Sequence, residues 1–255
     1  MIELRADLHC HTTFSHGWAT PEECIAKATA LGIDILAITD HKTAEGVLRY
    51  WKEPPSNGLI VVPGEEIGTE AGHLLAYFTR ETIGNCSFNE AVAKAREQHA
   101  LLYAAHPYHL SFKRSSLGEP IPMFSDGELA LLDGIESCNG QAATRCNREA
   151  HALARRHPRM GVVGGSDAHF PWEIGSVCTL IQAKSRTIEG VREAMLHGST
   201  RAVGPTLANR LLLRWIYYGR CYYRRIRRLR RRTHGPKGHT EPHGNYPHSI
   251  LSKEE

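Results

Sequence analysis

The sequence has no run of about 18 or more uninterrupted apolar residues and no positively charged, apolar leader before its first strand-like segment. Neither a membrane-spanning helix nor a secretory signal is therefore expected, and the expected address is the cytoplasm. It also lacks C-x-x-C spacing. Its seven cysteines (Cys10, Cys24, Cys86, Cys138, Cys146, Cys178 and Cys221) are scattered and odd in number, which argues against a disulfide framework and against a cysteine zinc site and leaves them as small buried residues. Acidic residues are missing from positions 194 to 240, where 12 basic residues stand, while positions 1 to 193 carry 18 Lys and Arg against 24 Asp and Glu. The net charge of +4 thus hides an acidic body and a basic tail, with a boundary expected near Gly204 and Pro205. At 255 residues, 41% of them hydrophobic and 23% charged, the chain can build one sizeable globular domain plus extras.

What the chain does have, and at once, is histidine: the segment DLHCHTTFSHG, Asp7 to Gly17, holds three. The alternation Ile2, Leu4, Ala6, Leu8 indicates a half-buried strand, on which His9 and His11 point one way and Cys10 the other. Thr, Ser and Gly follow, so the H-x-H pair ends a strand, as a metal clamp or, taken alone, as two hydrogen-bonded polar residues. Further apolar runs indicate strands at 34–39, 59–63, 73–78, 100–106, 133–138, 160–167 and 177–182. Helical patterns separate most of them. Thr20, Pro21 and Glu23 form the start signal of a helix that stops at Gly32, and Ser87 and Glu90 repeat the device. Two more helices are expected over 141–157 and 187–198. Such alternation implies a mostly parallel sheet, closed or open.

The polar residues choose between those two. His9 and His11 end the first strand, Asp40 and His41 the second, Glu65 and Glu66 the third, His106 the fifth, and Asp167 with His169 the seventh. A barrel converges its strand ends on one mouth, whereas an open sheet spreads them along a crevice, so an α/β fold closed as a TIM-like barrel is expected. Imidazoles and carboxylates gathered there suit Zn, Mn or Fe, with more than one ion and a carboxylate bridging two.

In order along the chain stand H-x-H (His9, His11), a third histidine (His16), D-H (Asp40, His41), G-x-E (Gly64 to Glu66), His-Pro (His106, Pro107) and D-x-H (Asp167, His169). On these six motifs, residues 2 to about 205 resemble the PHP family, the polymerase and histidinol-phosphatase domains. The resemblance implies a distorted seven-stranded β/α barrel holding two or three divalent ions and hydrolysing phosphoesters by metal-activated hydroxide. Carried over, one ion would take His9, His11, Glu66 and Asp167, a second the bridging Glu66 with His73 and His106, and a third His16, His41 and His169. The chain departs from the pattern at His16, where many relatives carry Asp, and at His73, which opens a strand instead of ending one. The G-x-E register favours Glu66 over Glu65. Asp40, Glu66 and His169 form the expected catalytic set, with Asp40 orienting a ligand imidazole or carrying a proton for the leaving group. His99, His151, His157 and His197 fall on helical patterns and are expected outside the site.

Ions of this kind acidify water and neutralise charge on phosphoryl oxygens, so no side-chain nucleophile is needed. The expected substrate is a phosphorylated small molecule, such as a nucleotide or a metabolite. Glu136 and Asn139 resemble a family segment lining the mouth, and Arg145 beyond them would bind phosphate or face solvent. Only 25 positions separate His41 from Glu66, too few for the helical lid of relatives that act on nucleoside phosphates. The longest irregular stretch, 108–128, with Lys113 and Arg114 for anionic groups, is instead the expected substrate loop.

Beyond the body, apolar residues from Leu211 to Leu229 recur at helical spacing among ten arginines, Arg210 to Arg232. An arginine-rich amphipathic helix over 206–232 is expected to bind nucleic acid, lie on an anionic membrane surface, or dock on the acidic barrel. Residues 233–255, rich in Gly, Pro and His, have the composition of a disordered end. Three rival functions stand beside a phosphomonoesterase. A phosphodiesterase or nuclease would use the basic tail. An amidohydrolase-type hydrolase usually has a bridging lysine at a middle strand end, where this chain offers Glu66. A non-catalytic binding module is hard to reconcile with so complete a ligand set.

Overall fold

The computed structural model describes residues 1–108 and 121–204. Along the chain run β1 (Ile2–Asp7), α1 (Pro21–Ala30), β2 (Ile35–Ile38), α2 (Glu45–Leu48), β3 (Ile60–Gly68), β4 (His73–Tyr77), α3 (Phe88–Glu97) and β5 (Leu101–Ala104). They are followed by α4 (Asp126–Leu129), β6 (Gly134–Asn139), α5 (Thr144–Arg156), β7 (Gly161–Gly165), β8 (Cys178–Ala183), α6 (Ile188–Leu196) and β9 (Thr200–Val203). The helix starts follow local chemistry. Thr20 with Glu23 and Ser87 with Glu90 each close a reciprocal capping box. Gly32, at φ +65°, turns the chain out of α1.

The strands form one sheet in the order β7-β6-β5-β4-β3-β2-β1-β8-β9. The two ends come together: Val162 N donates to Thr200 Oγ1 at 3.3 Å, Gly164 N donates to Thr179 Oγ1 at 2.8 Å, and that hydroxyl donates to the Gly164 carbonyl at 2.8 Å. The result is a nearly closed, barrel-like sheet. Among the described residues it has nine strands, where the resemblance implied seven. Strands β1 to β3 and β5 to β7 are parallel, but β4 enters antiparallel between β3 and β5, and β8 and β9 form an antiparallel pair beside β1. Apolar runs had marked eight of the nine; β9, four residues none of them buried, carries no such signal. The Arg-rich helix expected over 206–232, the tail after it, and Lys113 and Arg114 lie outside the described residues.

Side chains from around the sheet, including Leu4, Ala6, Ile35, Val62, Leu75, Tyr103, Val163 and Ile181, fill one cluster with Val191 and Met195 of α6. Tyr103 donates to the Met195 carbonyl at 3.0 Å, next to the start of β7, so α6 covers the end of the barrel opposite the strands' C-termini. Two further clusters pack α1 and α2, and α3 and α5, on the outside. Tyr103 also explains Gly134: a Cβ there would stand 2.0 Å from the tyrosine ring and 2.5 Å from the Gly161 carbonyl. Gly134→Ala is therefore expected to destabilise the fold by about 1–3 kcal/mol. Urea unfolding measures this, and an unchanged midpoint would mean that both the buried ring and the β7 backbone yield freely. Among the described residues no helix is long and apolar enough to cross a membrane.

Candidate metal centre

Past their regular ends, the central strands continue as single bridges, and the polar residues sit there. Cys10 bridges to Ala168, with His11 N donating to the Ala168 carbonyl at 2.9 Å and Asp167 N to the His9 carbonyl at 2.8 Å. His41 bridges to Glu66, whose N–H donates to the Asp40 carbonyl at 3.1 Å. The buried carboxylate of Asp7 locks this end by accepting the N–H groups of Ser166 at 2.9 Å, Gly175 at 2.7 Å and His9 at 3.4 Å. Asp7 was not among the candidates, because its partners lie up to 168 positions away.

Glu66 occupies the middle of the mouth and lies within β3, not at a strand end. β3 pairs with β2 as far as Pro63 and with β4 from Gly64 onward, which carries it past the expected stop. Strand alternation then separates the two glutamates. Glu65 turns outward to accept the N–H groups of Ile83 and Gly84, both at 2.8 Å. Glu66 turns inward, where its Oε2 lies 3.2 Å from His9 Nε2, 3.2 Å from His11 Nε2 and 3.3 Å from His41 Nε2. Its Oε1 lies 2.8 Å from His73 Nδ1 and 3.0 Å from His106 Nε2. The antiparallel course of β4 explains His73: a residue that opens this strand pairs with Gly68 at the end of β3 and so reaches the same mouth.

The other carboxylate is Asp167, whose Oδ1 is 3.1 Å from His11 Nε2 and 3.7 Å from His9 Nε2. His169 donates Nδ1–H to the Asp167 carbonyl at 2.8 Å, which turns its Nε2 toward His16 Nε2, 2.5 Å away. Asp167 and His106 adopt φ of +53° and +27°, uncommon for residues other than glycine and of the kind concentrated at functional sites. Among the described residues, three sets of donors each lie within 4.8 Å of one another: His9, His11 and Asp167; His11, His16 and His41; and His41, Glu66 and His73. His41 thus stands closer to Glu66 and His73 than the three-ion partition inferred from the resemblance implied.

Burial and the two carboxylates pull the imidazoles of this cluster in opposite directions. Burial lowers His16 to about 2, helped by the neighbouring histidines, and lowers His41 to about 4 against the pull of Glu66. Burial also opposes protonation of His11, but hydrogen bonds to Asp167 and Glu66 raise it to about 9. His9 is likewise raised against burial, by Glu136, Asp167 and Glu66. Burial alone would raise Glu66 and Asp167; the surrounding imidazoles hold both well below the usual carboxylate range. Five imidazole nitrogens around one carboxylate, and two more facing each other, form a lone-pair-rich cage. The residues present therefore fit divalent cations.

The structure brings together all nine residues expected as ligands: His9, His11, His16, His41, Glu66, His73, His106, Asp167 and His169. Asp40 behaves differently from the expectation that it orients an imidazole. Its carboxylate accepts from Thr12 N at 2.7 Å and from the hydroxyls of Thr12 and Ser15, both at 2.5 Å, and so grips the loop between His11 and His16. The residue that does meet an imidazole from behind is Glu136, whose Oε1 lies 3.0 Å from His9 Nδ1. Arg145 is exposed in the first turn of α5, just past the end of β6. His99, His157 and His197 follow helix ends and His151 lies on α5, outside these contacts.

Barrel and donor set together define a candidate site for divalent metal ions, of a kind that suits hydrolysis. The profile of the PHP domain matches residues 7–152, and that of a PHP-associated segment matches residues 144–200. The chain belongs to the PHP domain family. An uncharacterized protein of Methanocaldococcus jannaschii is 30% identical over 175 residues, 68% of this chain and 68% of that protein. The 5′-3′ exoribonuclease of Escherichia coli is 42% identical over 65 residues, 25% of this chain and 22% of that enzyme. A two-domain protein of Bacteroides vulgatus containing a predicted PHP-like metal-dependent phosphoesterase has the same fold, with a TM-score of 0.66 and 22% identity over 80% of this chain and 65% of that one. The chain thus spans between about a fifth and about two thirds of these relatives' lengths.

Proposed function

We propose that residues 1–205 form the catalytic unit and hydrolyse a phosphate monoester, a nucleotide or another small phosphorylated metabolite. The observation that carries this reading is the placement of Glu66, with one oxygen toward His9, His11 and His41 and the other toward His73 and His106. A carboxylate so placed can span two cations, and two or three ions (Zn, Mn or Fe) suit these donors. Bound there, they supply Lewis acidity toward phosphoryl oxygens and acidify water near neutral pH. The chain's own residues do the rest. Asp7 and Asp40 hold the loops, Asp167 and the imidazoles set the donor geometry, and His169, oriented by its bond to the Asp167 carbonyl, joins His16 at the outer part of the cluster. Arg145, with Lys113 and Arg114, supplies positive charge toward the substrate's anionic groups.

The test is phosphate release by the Mn-loaded protein from a panel of nucleoside, sugar and 3′,5′-bisphosphorylated compounds, with His9→Ala as the control. Release that the control does not match supports a phosphomonoesterase. A second reading, hydrolysis of nucleic-acid diesters with the arginine-rich segment 206–232 as the binding element, is favoured by the stretch of identity with the E. coli exoribonuclease. Oligonucleotide cleavage without release from any monoester would establish it in place of the first.

A further inference from the structure

Beside the metal donors stands a stack of three aromatic rings that lies outside the core clusters. Phe170 stacks on Trp18, with ring centroids 5.2 Å apart and planes at 26°, and on Trp172, 4.5 Å apart and at 14°. Trp18 is 63% exposed and Trp172 55%, and none of the three rings belongs to a hydrophobic core cluster. The stack is fixed to the metal centre through the backbone. Trp18 stands two residues past His16 and donates its N–H to the His169 carbonyl at 2.8 Å, and Phe170 follows His169 directly. The buried carboxylate of Glu173 accepts the N–H of His169 at 2.8 Å and that of Phe170 at 3.1 Å, which holds the loop that presents the rings.

Two large indoles kept in water gain little for the fold. A rigid, near-parallel stack offers its remaining faces to another flat ring, and every nucleobase has such a face. The backbone joins the stack to His16 and His169, which sets a ring resting on it beside the cluster where a phosphate would be held. We propose that Trp18, Phe170 and Trp172 form a platform on which the base of a nucleotide substrate stacks, whether the nucleotide is free or ends a strand. This selects base-bearing phosphoesters over plain sugar phosphates, and it rests on the phosphoester reading of the centre.

The experiment uses the full chain loaded with Mn and compares adenosine 5′-monophosphate with ribose 5-phosphate, by calorimetric titration and by phosphate release. The wild type is expected to bind the nucleotide more tightly. In Trp18→Ala and Trp172→Ala, the Kd for the nucleotide rises about tenfold and the ratio of kcat/KM for nucleotide over sugar phosphate falls by about the same factor. Trp→Phe at either position restores most of both. Both side chains are more than half exposed, so the alanine variants keep the fold, checked by circular dichroism. A 5′-phosphorylated oligoadenylate run alongside separates the two sources: tighter binding than the mononucleotide identifies a strand end, and equal or weaker binding a free nucleotide. Equal wild-type affinity for nucleotide and sugar phosphate, or variants that shift both alike, overturns the platform. If no compound releases phosphate but nucleotide binding still depends on the two tryptophans, the platform stands and the monoester reading fails.

Discussion

Glu66→Gln is expected to leave the protein unable to retain its full set of divalent ions and to reduce phosphate release on the order of a thousandfold, the equivalent of several kcal/mol of lost charge stabilisation. The argument is geometric. Both carboxylate oxygens are in use, each toward a different set of imidazoles, and the side chain is only 2% exposed. Glutamine keeps the shape but offers one acceptor oxygen, and its amide nitrogen would turn donor hydrogens toward a row of nitrogen lone pairs. It also removes the negative charge that compensates bound cations at the centre of the cluster. The measurement is metal content per chain after dialysis, by mass spectrometry, beside the rate of phosphate release. A variant that retains the wild-type metal content would show that Glu66 does not bridge. Glu65→Gln is the informative comparison, since that neighbouring carboxylate takes the N–H groups of Ile83 and Gly84 outside the cluster. It is expected to lower stability and to leave the metal content as it was.

Local chemistry makes much of this legible in the sequence alone. The capping residues Thr20 and Ser87 mark α1 and α3 because a cap and its helix are neighbours in the chain. Seven of the nine ligand candidates are legible because strand ends are visible as apolar runs that stop, and a barrel collects such ends; His16, in a loop, and His73, at the start of a strand, come from the resemblance alone. Direction and partner choice are not visible in this way. That β4 runs antiparallel decides that His73, at its start, meets Glu66, and the apolar run HLLAYF is the same in either direction. The switch of β3 from β2 to β4 at Gly64, which buries Glu66 inside a strand, depends on pairing. Asp40 presents a similar limit: next to a histidine it suggests an imidazole's partner, yet the groups that reach it are Thr12 and Ser15 on the adjacent loop. The stacking of Trp18 on Phe170 is not visible in the sequence, because the two residues lie about 150 positions apart and belong to no apolar period.

Glu136 shows what that long-range chemistry contributes, and its removal should have the next largest effect. It stands 127 positions from His9 and accepts that ring's Nδ1–H at 3.0 Å, which fixes the tautomer and presents Nε2 to Glu66 and Asp167. Its other oxygen accepts the His106 N–H at 2.8 Å and the Asn139 amide at 3.1 Å; the same amide donates to Asp167 Oδ2 at 3.2 Å. One buried carboxylate thus orients donors on both sides of the centre. Glu136→Gln is expected to weaken metal affinity up to about a hundredfold, the usual range for the partner behind a ligand histidine. An amide at that position can donate to Nδ1 as readily as accept from it, so it no longer holds the ring in one tautomer. Because the loss lies in affinity, excess Mn should restore most of kcat, whereas Glu66→Gln should stay inactive at any concentration. A residue that merely filled space would behave otherwise. Its replacement would lower the melting temperature of the chelator-treated protein and leave the half-saturating Mn concentration where it was, and that result would remove Glu136 from the positioning of His9.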